Sequence, residues 1–124
     1  MTQPLALVVY EKLLPGSQLV NRLQDLNYRV RTLTNADTLV SCATAEMPML
    51  VLADLTSTHQ DVSRRIRELR QNTSTAHIPV IAFGREADAA ALSAALAAGA
   101  ALATTETAIL PHLPELLEQA LRLE

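Results

Sequence analysis

Short, wholly apolar runs alternate along this chain with stretches whose apolar positions recur every three or four residues. The first run, Leu5 to Val9, has the brevity and continuity of a strand buried on both faces. Pro15-Gly16-Ser17 then marks a helix start, with Ser17 as candidate N-cap, and Leu19, Val20, Leu23 and Leu26 follow at helical spacing. Tyr28 to Leu33 alternates instead: Tyr28, Val30 and Thr32 face one way, Arg29, Arg31 and Leu33 the other. That is the pattern of a half-exposed edge strand. Asn35 or Asp37 can open a second helix with Leu39, Val40 and Ala43 inside, ending before Pro48.

A second buried run, Met49 to Ala53, ends on Asp54. Val62, Ile66 and Leu69 then sit at i, i+4 and i+7 of a third helix whose other face carries Arg64, Arg67 and Arg70. Pro79 opens the strand Val80 to Phe83 and Gly84 closes it. Glu86 to Ala98 predicts an alanine-rich helix stopped by Gly99, Ala100 to Thr104 a weak fifth strand, and Leu110 to Leu123 the last helix. Five strand–helix units with right-handed crossovers predict a doubly wound α/β domain. An alternating second strand at the edge fits a five-stranded parallel sheet of order 2-1-3-4-5 with five helices, the flavodoxin-like arrangement.

Composition narrows the reading. The 124 residues make one domain, spanning 1–124, and 49% of them are apolar. With no Trp and a single Phe, the core must be aliphatic. A net charge of −3 gives no pull toward nucleic acid or an anionic membrane. No apolar stretch is long enough to span a bilayer, and the N-terminus carries no secretion signal. Cys42 is the single cysteine, so no internal disulfide forms and a cytoplasmic protein is expected. Cys42 reads as a small helix residue, with a reactive thiol as the alternative.

In such folds ligands bind beyond the carboxyl ends of the strands. That rim gathers Tyr10, Glu11, Asp54, Gly84 and Glu106. A carboxylate delivered there by a buried strand can accept a phosphoryl group or hold a metal.

Three segments carry a resemblance. Pro48-Met49-Leu50-Val51-Leu52-Ala53-Asp54-Leu55 is similar to the phospho-acceptor strand of the CheY-like receiver domains of bacterial response regulators. Ile66-Arg67 through His77-Ile78-Pro79-Val80-Ile81-Ala82 resembles their third helix and fourth strand, and Ala97-Ala98-Gly99-Ala100 their turn into strand five. The resemblance covers the whole chain. It implies that Asp54 stands at the phosphorylated position. The acidic pair that holds Mg²⁺ falls on Tyr10 and Glu11, of which Glu11 alone keeps a carboxylate. The hydroxyl residue ending strand four falls on Gly84, the lysine ending strand five on Glu106, the proline after it on Thr107, and the aromatic switch residue on Ala103. The segment after Asp54 also lacks the usual proline and is about three residues shorter, within the range over which loop lengths vary.

These departures have physical consequences. Phosphoryl transfer to a carboxylate relies on electrostatic positioning by a cation and a metal. Exchanging lysine for Glu106 turns attraction into repulsion, on the order of a few kcal/mol for a close pair at an effective dielectric near 20. Gly84 and Ala103 have neither the hydroxyl nor the ring that would relay the event. Lys12 or Arg85, in the flanking loops, can restore the charge balance by pairing with Asp54 or Glu106; alternatively the carboxylates splay outward and stay hydrated. The resemblance thus implies a degenerate, non-enzymatic receiver that works in signal transduction as an interaction module, without metal or cofactor. The alternative is a phosphorelay receiver phosphorylated on Asp54, with Asp54 and Glu11 holding Mg²⁺. Its expected partners are proteins, a histidine kinase or an output protein, or a second copy through the face made by the fourth helix, fifth strand and fifth helix.

Other constellations are weaker. His59, His77 and His112 lack metal-ligand spacing, and the three glycines form no phosphate-cradling loop. Arg64, Arg65, Arg67 and Arg70 read as a solvated helix face, or more sharply as a dock for an acidic partner. Nucleic-acid binding would need more positive charge and stacking aromatics.

Overall fold

The computed structural model describes residues 4–10, 13–56 and 61–122. Glu11, Lys12 and His59 lie outside the described residues, as does the C-terminal end expected for the last helix. The elements are β1 (Leu5–Val9), α1 (Leu13–Asp25), β2 (Arg29–Leu33), a 3₁₀ turn (Ala36–Thr38), α2 (Leu39–Glu46), β3 (Leu50–Asp54), α3 (Val62–Gln71), β4 (Val80–Gly84), α4 (Ala89–Ala98), β5 (Leu102–Thr105), α5 (Glu106–Ile109) and α6 (Leu113–Arg122). The strands form one parallel sheet in the order β2-β1-β3-β4-β5, as the sequence pattern requires.

Burial follows position in the sheet. Every residue of β1, β3 and β4 is buried, whereas the edge strands β2 and β5 are only partly so. Alternation along the central strands splits the core in two. Leu7, Val51, Ala53, Val80 and Ala82 face one layer, built from Leu39 and Ala43 of α2, Val62, Ile66 and Leu69 of α3, and Ala95 and Ala98 of α4. Val8, Leu50, Leu52, Ile81 and Phe83 face the other, with Leu19 and Leu23 of α1, Ile109 of α5, and Leu113 and Leu117 of α6. Fully burying each such Leu, Ile or Phe contributes roughly 1.5–3 kcal/mol.

Local chemistry sets the element boundaries. Asp61 caps α3 by accepting from the Arg64 N–H at 3.0 Å, and Asp88 caps α4 by accepting from the Ala91 N–H at 3.1 Å. The Asp88 cap starts α4 at Ala89 rather than Glu86. Asn35 caps the 3₁₀ turn by accepting from the Asp37 N–H at 2.9 Å, so α2 begins after it. Helix α1 begins at Leu13, before the expected Pro-Gly-Ser start. Pro15 is accommodated because a first-turn N–H has no intrahelical acceptor to lose, and Ser17 lies inside the helix rather than capping it.

The expected last helix starts at Leu113 rather than Leu110, and a short additional helix, α5, precedes it, giving six α-helices among the described residues. Pro111 brings no N–H to the ladder, α5 stops at Ile109, and α6 starts at Leu113. Strand β5 begins later than expected because the Ala100 N–H still bonds the Ala95 carbonyl of α4. No helix among the described residues is long and apolar enough to cross a membrane.

Candidate functional site

Strand β3 carries Asp54 to the carboxyl end of the sheet, paired in register with Phe83 of β4. The side chain is 3% exposed. Its Oδ1 accepts two hydrogen bonds from Thr56, one from the backbone N–H at 2.8 Å and one from the hydroxyl at 2.7 Å. The short acidic side chain thus closes a turn on its own chain two residues on. Thr56 is itself buried. Each such bond to a charged oxygen contributes roughly 1.5–3 kcal/mol, which offsets the cost of burying the carboxylate. Among the described residues no ion pair involves Asp54 or Glu106; the pairs present are Arg31–Glu46, Arg64–Glu68, Arg65–Asp37 and Arg65–Glu68.

The neighbouring positions are occupied by packing. Tyr10 follows β1 one register step beyond Val9–Ala53, which puts it beside Asp54. Its N–H bonds the Leu33 carbonyl at 2.9 Å, and its side chain packs against the α1/α6 core layer. Gly84 ends β4. A Cβ added there would lie 3.3 Å from the Leu55 Cβ and 3.6 Å from a Leu92 methyl carbon. A side chain at this position would therefore pack against Leu55 and Leu92. Ala103, paired with Ala82, packs against the opposite core layer.

Glu106 does not end β5; it is the first residue of α5, half-buried behind the Thr105 cap. An acid in the first turn suits the positive end of a helix. Asp54 and Glu106 lie two strands apart across β4, or about 10 Å of strand spacing. At that separation their repulsion is roughly 0.4–2 kcal/mol between the limits of water and an effective dielectric of 20, less than that of a close pair. Arg85 is exposed in the turn after β4, where its carbonyl accepts from the Asp88 N–H. It pairs with neither Asp54 nor Glu106.

Mg²⁺ binding needs several oxygen ligands in near-octahedral array. Among the described residues no three His, Cys, Asp or Glu side chains come together to hold a metal, and Asp54 Oδ1 already accepts two bonds from Thr56. The second carboxylate of the Mg²⁺ alternative, Glu11, lies outside the described residues. Elsewhere, burial pushes the Cys42 thiol above its ordinary pKa; Glu46 adds to the shift and Arg31 opposes it. A raised thiol is a weaker nucleophile at neutral pH, in keeping with a packing role. His77 and His112 are both exposed.

Thr56, Leu55 and Leu92 are the residues that the hydrophobic pattern did not bring forward. The Asp-x-Thr spacing of Asp54 and Thr56 was the available signal, because short polar side chains compete for nearby backbone donors. Leu55 and Leu92 meet Gly84 only through the tertiary fold.

No protein-family model matches the chain, and no curated protein matches it. Solved structures share its fold closely. A protein from Chloroflexus aurantiacus J-10-fl assigned as a response regulator superposes with a TM-score of 0.89 at 18% identity, over 98% of this chain and 99% of that one. The receiver domain of sensor histidine kinase PA1611 from Pseudomonas aeruginosa PAO1, with a magnesium ion coordinated in its active site cleft, superposes at 0.85 and 20% identity over 97% and 98% of the two chains. The receiver domain of NtrX from Brucella abortus gives 0.84 and 20% over 96% and 99%. The fold is that of CheY-like receiver domains.

Proposed function

We propose that this chain is a degenerate receiver domain, a signal-transduction module that binds protein partners without being phosphorylated and without catalysing a reaction. The observation that carries this reading is the burial of Asp54 and its capture by its own chain. Thr56 holds the carboxylate with two short bonds, and Leu55 and Leu92 lie against Gly84. Tyr10, Gly84, Ala103 and Glu106 each substitute packing or negative charge for the groups that a phosphoryl acceptor needs. Such a module would present a fixed surface, in the cytoplasm.

The surface best suited to a partner is the outer face of α4 with the adjoining edge of the sheet. Ala89, Ala90, Ser93, Ala94 and Ala97 are exposed there, and Leu96 is 50% exposed. Small side chains allow a close approach by another backbone, from an output protein, a kinase or a second copy. Helix propensity explains the same alanines without a partner.

One observation favours the second reading, a working phospho-acceptor in a phosphorelay: Asp54 does end β3 at the rim where ligands of doubly wound sheets bind. Under that reading Glu11 would join Asp54 in holding Mg²⁺. Incubation with acetyl phosphate and Mg²⁺, followed by intact-mass measurement at neutral pH, separates the two. The degenerate receiver gains no phosphoryl group; a stoichiometric adduct that disappears in Asp54→Asn would establish the phospho-acceptor.

A further inference from the structure

At the opposite end of the sheet from Asp54, a cleft of about 290 Å³ opens where β4 and β5 begin. Its size is near the lower limit of small-molecule sites, which run from roughly 300 Å³ upward. Pro79, Ala100, Ala101 and Ala120 form its walls, and the opening exists because none of these side chains is large enough to fill it. Gly99 forms part of the lining. It closes α4 at a φ of 120°, and a Cβ there would lie 2.3 Å from the Arg70 Cγ. The missing side chain is therefore what lets the Arg70 stem lie across the end of α4.

Two groups capable of positive charge border this cleft, Arg70 and His77. They are brought together by the turn after α3, in which Arg70 Nη1 donates to the carbonyl of Ala76, the residue before His77. One of five guanidinium N–H donors is used this way, leaving the others for a ligand. Arg67, one helical turn earlier, adds a second exposed guanidinium on the same side of α3. Arg31, Arg64 and Arg65 each meet a carboxylate, whereas among the described residues no ion pair involves Arg67 or Arg70, as also none involves Arg22 or Arg85. None of the residues lining the cleft is acidic.

We propose that this cleft is a binding site for a small organic anion, with a carboxylate or phosphate head held by Arg70 and His77 and a short apolar body against the proline and alanine walls. A guanidinium is suited to such a head because its N–H groups can donate in parallel to two oxygens. The bound molecule would touch the turn after α3, the end of α4, the starts of β4 and β5, and α6. It would thus tie together elements from both faces of the sheet.

The test is an amide-resolved NMR titration of the whole chain with acetate, butyrate, inorganic phosphate and, as an uncharged control, butyramide. Saturable shifts at Arg70, His77, Gly99, Ala100 and Ala101 with an anion, and none with butyramide, are expected. Butyrate binding more tightly than acetate supports the use of the apolar walls. Arg70→Gln keeps most of the stem over Gly99 and should weaken binding by about tenfold or more, with the remaining resonances unmoved; His77→Gln should weaken it less. Three results would overturn the proposal: no saturable shift with any anion, equal shifts with butyramide, or undiminished affinity in folded Arg70→Gln. None of them bears on the Asp54 rim, about 16 Å away by strand rise.

Discussion

The two ends of the sheet treat charge in opposite ways. At the carboxyl end Asp54 is buried and tied to Thr56, and leucines lie against Gly84. At the amino end Arg70 and His77 border an open cleft walled by small residues. In doubly wound sheets the carboxyl end is where ligands are expected. Here the described part of that end buries Asp54 and ties it to its own turn, and an open, charged concavity lies at the other. A fold indicates where a site can be built; the side chains determine whether one is present.

Substitutions can break this contrast, and the largest effect should come from the carboxyl end. Phe83 is fully buried and pairs with Asp54 in register. Phe83→Ala should cost about 3–5 kcal/mol in chemical denaturation, through lost burial and the cavity left behind. A cost below about 1 kcal/mol would mean that the rim is not packed as core. Gly99→Ala should cost about 1–3 kcal/mol, because alanine is strained at that φ and its Cβ collides with Arg70. It should also shift the Arg70 side-chain resonances and leave those of Asp54 and Thr56 in place.

Thr56→Val, which keeps the shape and removes the hydroxyl, should cost about 1–3 kcal/mol by leaving a buried carboxylate oxygen short of a donor. Unchanged stability would show that the Thr56 hydroxyl does not hold Asp54. The smallest effect concerns neither end. Because burial raises the Cys42 pKa, its alkylation near pH 7 should be slower than in the urea-unfolded chain. The thiol is protected while protonated, and the protection should be lost as pH rises through its raised value. Equal rates at neutral pH would contradict the assigned burial.

Much of the scaffold was legible because burial dictates pattern. The runs Leu5 to Val9 and Leu50 to Ala53 lie in strands covered on both faces, although Met49, expected with them, is exposed and precedes β3, and the alternation from Tyr28 to Leu33 marked the edge that β2 occupies. Val62, Ile66 and Leu69 fell on one helical stripe and are buried as a set. Boundaries were less legible. Pro15 is harmless in a first turn but looks like a helix breaker, and Pro111, which brings no N–H, delays the last helix to Leu113 within an apolar stripe that starts at Leu110.

The rim was the hardest part to read. Sequence order identified Asp54, Gly84 and Glu106 as neighbours along the carboxyl end. It did not show that Glu106 starts a helix, that Arg85 stays in solvent, or that Leu55 and Leu92 pack against Gly84. Such facts depend on side-chain contacts between distant segments, and one-dimensional periodicity carries no trace of them.

The claim that Asp54 is held out of phosphoryl chemistry is tested most directly by adding beryllofluoride, a phosphoryl mimic, together with Mg²⁺ to the ¹⁵N-labelled chain and following its amide resonances. Asp54, Thr56 and the residues of α4 should keep their positions throughout. Saturable shifts centred on Asp54 and spreading into α4 would contradict it, and would identify the carboxylate as an acceptor open to solvent.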